Sequence, residues 1–229
     1  PEELEPAFHQ AVLENAVDDY GPDAEKRSSG SHGTTIERVP GLETLIRSPT
    51  VAGALHSVLG PEYAHGHLGP SGCAFHASGG PGGPGQPFHK DTQRAQITGH
   101  RTRAVMAMYY PGGCGADMGP TAIVPSSHIL ARDGLGLSYG VMDDGPAGAQ
   151  DRGDWGGLGG RAEILSKIAP GLFEHQVVVK AGSVVIVHED MVHRGTPRLD
   201  DNAFRPMFKW SFMRLHEPTA PTWRHDCST

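Results

Sequence analysis

Residues 86–93 read QPFHKDTQ, which sets His89 and Asp91 two positions apart. On an extended chain alternate side chains share a face, so both would leave on the same side. An imidazole and a carboxylate side by side can ligate one metal ion, but the pair alone is incomplete. A distant stretch, GSVVIVHEDMVHRGTP, adds His188 and His193. Two imidazoles and one carboxylate on one face of a metal suit Fe(II) and leave positions open for a chelating cosubstrate and oxygen. His188 precedes His193 by five residues, an odd offset that points it elsewhere. A structural or supporting role is expected for it. Twelve residues after His193 stands Arg205, whose planar fork can grip a carboxylate bidentately. A dicarboxylic keto acid such as 2-oxoglutarate would need such a grip.

These residues meet only if strands far apart in sequence close into a barrel or a sandwich. The pattern along the chain allows this. Leu4, Phe8, Val12 and Ala16 recur at a spacing of four and predict an amphipathic helix over 2–17. A second short helix is expected at 42–47. In SPTVAGALHSVLG, Ser48 can cap, Pro49 suits the first helical turn and Gly60 can terminate, with Val51, Leu55 and Val58 or Leu59 as the buried stripe. Beyond Gly60 the texture turns to β. Short strands are expected in EYAHGHLG and GCAFHAS, then at 101–111 and 120–125. HQVVVKAGSVVIVHED reads as two strands meeting at Ala181-Gly182, and 204–215 as the last strand. On that last strand Arg205, Met207, Lys209, Ser211 and Met213 share one face, and Phe208, Trp210 and Phe212 the other. A polar interior with helices packed outside would produce that split. Arg103 and Lys209 are strand cations with no assigned partner. Residues 131–160 are rich in Gly and Asp, and a loop that long reads as a lid, followed by a short helix at 161–169.

The 229 residues suffice for one well-buried domain, expected to span 1–229 with helices in 1–59 and the barrel in 60–216. A formal net charge of −7 argues against phosphate-backbone binding as the main task. No window has the apolar length of a membrane helix, and no signal-peptide, anchor or retention pattern is evident. Three cysteines, Cys73, Cys114 and Cys227, form no CxxC pair and read as reduced thiols of a cytoplasmic protein. Neither nucleic acid nor membrane is expected as a partner; a small molecule is.

Four segments in order resemble the phytanoyl-CoA dioxygenase family of Fe(II)/2-oxoglutarate oxygenases: IRSPTVAGALHSVLGPEY, GGPGQPFHKD, GPTAIVPSSH and AGSVVIVHEDMVHRGTP followed by Arg205. Together they cover roughly residues 42–215. The resemblance implies a mainly β chain with flanking helices, folded as a double-stranded β-helix, the jelly-roll barrel of cupin-like proteins. It assigns His89, Asp91 and His193 to Fe(II), and Arg205 to the far carboxylate of 2-oxoglutarate, with O2 as the second cosubstrate. Members often carry a serine two residues after the distal histidine. Here Gly195 stands there, so Thr196 is expected to take that hydroxyl role. The family's PGSH is Pro125-Ser126-Ser127-His128, and Phe88 precedes the proximal histidine. His76 is a candidate hydrogen-bond partner of cosubstrate or substrate, and His128 is expected to hold a turn. Halogenating relatives lack the carboxylate, so Asp91 favours hydroxylation. Desaturation, cyclisation or epoxidation would use the same ligands. Two further readings are a barrel that binds metal or ligand without turnover, and a cupin-like oxygenase indifferent to 2-oxoglutarate.

Overall fold

In the computed structural model, which describes residues 4–20, 39, 41–66, 73–75, 85–86, 91, 102–129, 174–200 and 205–216, helices precede strands. The helices are α1 (Pro6–Tyr20), α2 (Leu42–Ile46) and α3 (Pro49–Leu59). Ser48 accepts the Val51 N–H at its start, and Gly60 ends α3 at φ 90° with its N–H on the His56 carbonyl. Such a cap contributes about 1 kcal/mol. Val51, Leu55 and Leu59 form the buried stripe of α3, whereas Val58 is exposed. The buried Arg214 guanidinium donates to the carbonyls of Leu59 and Val58, placing a cation at the negative end of that helix.

Eight strands follow among the described residues: β1 (Tyr63–His65), β2 (Cys73–Phe75), β3 (Ala104–Tyr110), β4 (Thr121–Ile123), β5 (His175–Gln176), β6 (Ser183–His188), β7 (His193–Gly195) and β8 (Met207–Arg214). All pair antiparallel. The larger sheet runs β1-β8-β3-β6, with β2 also on β8; the smaller runs β5-β4-β7. One expectation is corrected. HQVVVK does not continue as a strand: only His175–Gln176 pair with β4, and Val179 bridges Cys114 alone. The chain leaves the small sheet there and turns at Ala181-Gly182 into β6 of the large one. The expected lid 131–160 and helix 161–169 lie outside the described residues, as do His76 and His89.

The two faces of the large sheet divide as the alternation of β8 predicts. Phe208, Trp210 and Phe212 join Val105, Ala107 and Tyr109 in a cluster with Val12 of α1, Leu42, Leu45 and Ile46 of α2, and the stripe of α3. The opposite face contributes Met106, Met108, Tyr110, Val187 and Met207, packed with Cys114, Val177 and, from the small sheet, Ile123. The helices therefore cover one side, and the space between the two sheets is the interior that any site must use.

Candidate metal centre and cosubstrate site

Among the described residues β7 pairs with β4. Ile123 of β4 pairs with His193, and next to them Val124 N–H donates to the Val192 carbonyl. The Val192 N–H donates to the Ser127 hydroxyl at 2.8 Å, and Ser127 is wholly buried. The PSSH segment thus anchors the residue just before His193. Ser126, in the same turn, has φ 63°, the left-handed region where glycine carries no penalty.

His193 is buried, and its Nδ1 lies 2.9 Å from the Met191 carbonyl. Donation of Nδ1–H to that oxygen leaves Nε2 as a lone pair, the form a metal ligand requires. Nε2 faces Asp91 Oδ1 at 3.6 Å. Metal–nitrogen and metal–oxygen bonds of about 2.1 Å let ligand atoms at such a separation share one ion. The second oxygen, Asp91 Oδ2, accepts from Lys209 Nζ at 2.6 Å. Of the three expected ligands, the described residues bring Asp91 and His193 together; His89 lies outside them. The approach to it is visible. Gln86 N–H donates to the Gly195 carbonyl, and Gln86 Oε1 accepts the Gly195 N–H, so the segment before His89 lies against β7.

Arg205 precedes β8 on the same face as Lys209, and is only 2 % exposed. Its Nε and Nη1 are buried without a hydrogen-bond partner among the described residues. Its guanidinium carbon stands 5.9 Å from the centre of the Tyr110 ring. Tyr110 reaches Thr121 Oγ1 at 3.3 Å. Burial raises the Tyr110 phenol and the Cys114 thiol, and in both Arg205 pulls the other way. A buried fork with unanswered donors, among apolar side chains and neutral hydroxyls, fits the end carboxylate of a diacid.

Other expected residues fall elsewhere. The Thr196 hydroxyl is buried and donates to the Pro120 carbonyl at 2.7 Å, which commits its proton. His188 sits apart from His193: its Nδ1 accepts the Asp190 N–H, and its ring lies 4.9 Å from that of His128. The sequence reading missed Lys209 as partner of Asp91, Ser127 as anchor of Val192, and the buried bond from Ser211 to Glu189 Oε1 at 2.9 Å. One signal was present. A lysine on the interior face of a strand must have an anion beside it.

The described residues thus bring an imidazole–carboxylate pair and a buried arginine to the inner face of a mainly β scaffold. The chain belongs to the phytanoyl-CoA dioxygenase (PhyH) family, whose model matches residues 7–206. No curated protein matches it in sequence. Solved structures share the fold. EvdMO1 is 15% identical with a TM-score of 0.57, over 91% of this chain and 45% of its own. SnoK, a non-haem alpha-ketoglutarate-dependent carbocyclase of nogalamycin biosynthesis, is 17% identical with a TM-score of 0.56, over 93% and 76%. HygX of Streptomyces hygroscopicus, with nickel and 2-oxoglutarate bound, is 12% identical with a TM-score of 0.54, over 98% and 83%. The chain thus spans less than half of EvdMO1 and about three quarters or more of the other two.

Proposed function

We propose that this chain is an Fe(II)- and 2-oxoglutarate-dependent dioxygenase that hydroxylates a small organic metabolite. Its two sheets would close as a double-stranded β-helix over residues 60–216, in one domain, in the cytoplasm, with no nucleic-acid or membrane partner. The observation that carries this is Arg205: a buried guanidinium with two nitrogens unanswered among the described residues, on the interior face that also bears the Lys209–Asp91 pair. Balanced, substrate C–H, 2-oxoglutarate and O2 give the alcohol, succinate and CO2. His89, Asp91 and His193 would hold the iron, which when bound supplies the activation of oxygen. Met191 keeps the His193 proton on Nδ1 through its carbonyl. Arg205 would orient the diacid by its far carboxylate. Met106, Met108 and Met207 exclude water from the interior. Thr196 and His76 are further candidates for cosubstrate contacts.

An anaerobic titration with Fe(II) and 2-oxoglutarate tests the reading. A visible charge-transfer band should develop and be lost in His193→Ala, and oxygen should release succinate. Neither band nor succinate would sink it. A second reading is ring closure or another oxidation on the same ligands, since SnoK, which shares this fold, is a carbocyclase. Product analysis, once a substrate-library screen finds stimulated succinate release, separates the two.

A further inference from the structure

We propose that Lys209 is a positioning residue that clamps Asp91, so that this carboxylate meets the metal through Oδ1 alone. The inference rests on the iron reading above. The alternation of β8 turns Lys209 inward between Met207 and Ser211, and its side chain is 11% exposed. Burying an ammonium is costly without a charged partner. Its partner is one particular oxygen: Nζ stands 2.6 Å from Asp91 Oδ2, while Oδ1 faces His193 Nε2 at 3.6 Å. The two oxygens are thus divided between a cation supplied by the protein and the side that holds the imidazole.

The division matters because a free carboxylate can chelate a cation with both oxygens. Two histidines and a chelating aspartate would fill four of about six positions and leave two. A bidentate keto acid would occupy both, and oxygen would find none. With Oδ2 held by Lys209, three positions remain, and one survives cosubstrate binding. Lys209 also adds positive charge beside a site that must accept a dianion. Its neighbour on the same face, Ser211, is spent on Glu189 and cannot substitute.

Mn(II) is the probe, because the water-proton relaxation it causes scales with the number of waters bound to it. Wild type should hold about three, and saturating 2-oxoglutarate should leave about one third of the relaxation enhancement. Complete loss in wild type would overturn the proposal without any variant. Lys209→Met should lose about one third of the enhancement before cosubstrate is added, and Lys209→Arg should restore it. Calorimetry on the Mn(II)-loaded proteins should show 2-oxoglutarate affinity reduced about tenfold or more in Lys209→Met. A Lys209→Met protein with wild-type near-ultraviolet dichroism, relaxation and affinity would show that the ion pair serves folding alone. Wild type that takes up no Mn(II) would refute the iron reading itself; uptake by wild type but not by Asp91→Ala keeps that reading and isolates the clamp as the question.

Discussion

At the scale of single residues, Arg205 is where stability and function pull against each other. Among the described residues two nitrogens of the buried Arg205 guanidinium lack a partner, a cost in free energy that an incoming diacid would return. Arg205→Met should therefore leave the ligand-free protein as stable as wild type or more so. Its 2-oxoglutarate affinity should fall on the order of 100-fold, the loss of about 3 kcal/mol expected for a buried charge contact. Metal with cosubstrate at about 100 times its Kd should stabilise wild type by about 2.7 kcal/mol, raising Tm by roughly 5–10 °C. At the same concentrations thermal melts should show that shift shrink to about 1–2 °C in Arg205→Met; a variant that keeps it in full binds the diacid elsewhere. Ser126 carries a smaller tension. At φ 63° a β-branched side chain is strained, so Ser126→Val should cost about 2 kcal/mol, while Ser126→Gly stays within about 1 kcal/mol of wild type. Urea denaturation of the two variants measures the difference.

At the scale of elements, the proximal segment depends on a close backbone approach. Gly85 has φ 67°, and a Cβ there would stand 2.8 Å from the Gly195 carbonyl oxygen and 2.9 Å from the Pro197 Cδ. Gly85→Ala should push the segment off β7, lower stability by about 1–2 kcal/mol, and weaken metal binding about tenfold or more. Co(II) titration calorimetry would detect this; unchanged affinity would mean that the Gln86–Gly195 pairing does not hold the ligands. The cap and stop of α3 and the alternation of β8 were legible in the sequence, because each is encoded by neighbours in the chain. The pairing of Gly85 and Gln86 with Gly195, of Ser127 with Val192 and of Lys209 with Asp91 was not. Each joins residues tens to more than a hundred positions apart, and strand register across two sheets leaves no local period to read. HQVVVK illustrates the other limit. Its β-branched run suits a strand, yet the chain there passes from one sheet to the other and pairs at only a few points.

For the molecule as a whole, two adjacent tyrosines tie the layers together from opposite faces of β3. Tyr109 lies in the helix-side cluster, with its hydroxyl 2.9 Å from His9 Nδ1 of α1 and its ring stacked on Phe208. Tyr110 lies between the sheets. Burial raises both phenols above their ordinary value near pH 10. The sign of the consequence is fixed. Above that pH the unfolded chain releases these protons while the folded chain keeps them, so the folded state binds more protons and stability falls as pH rises. Below about pH 10 both states hold them and the two tyrosines add no slope. Guanidinium unfolding from pH 8 to 11.5 should therefore show a stability plateau that turns downward near pH 10. Tyr109→Phe removes one of the two groups. It should start about 1 kcal/mol lower at pH 8, through the lost His9 bond, and then decline less steeply than wild type. Parallel curves for the two proteins would mean that Tyr109 releases its proton as readily in the folded state as in the unfolded chain, and that the docking of α1 on the large sheet does not shield it.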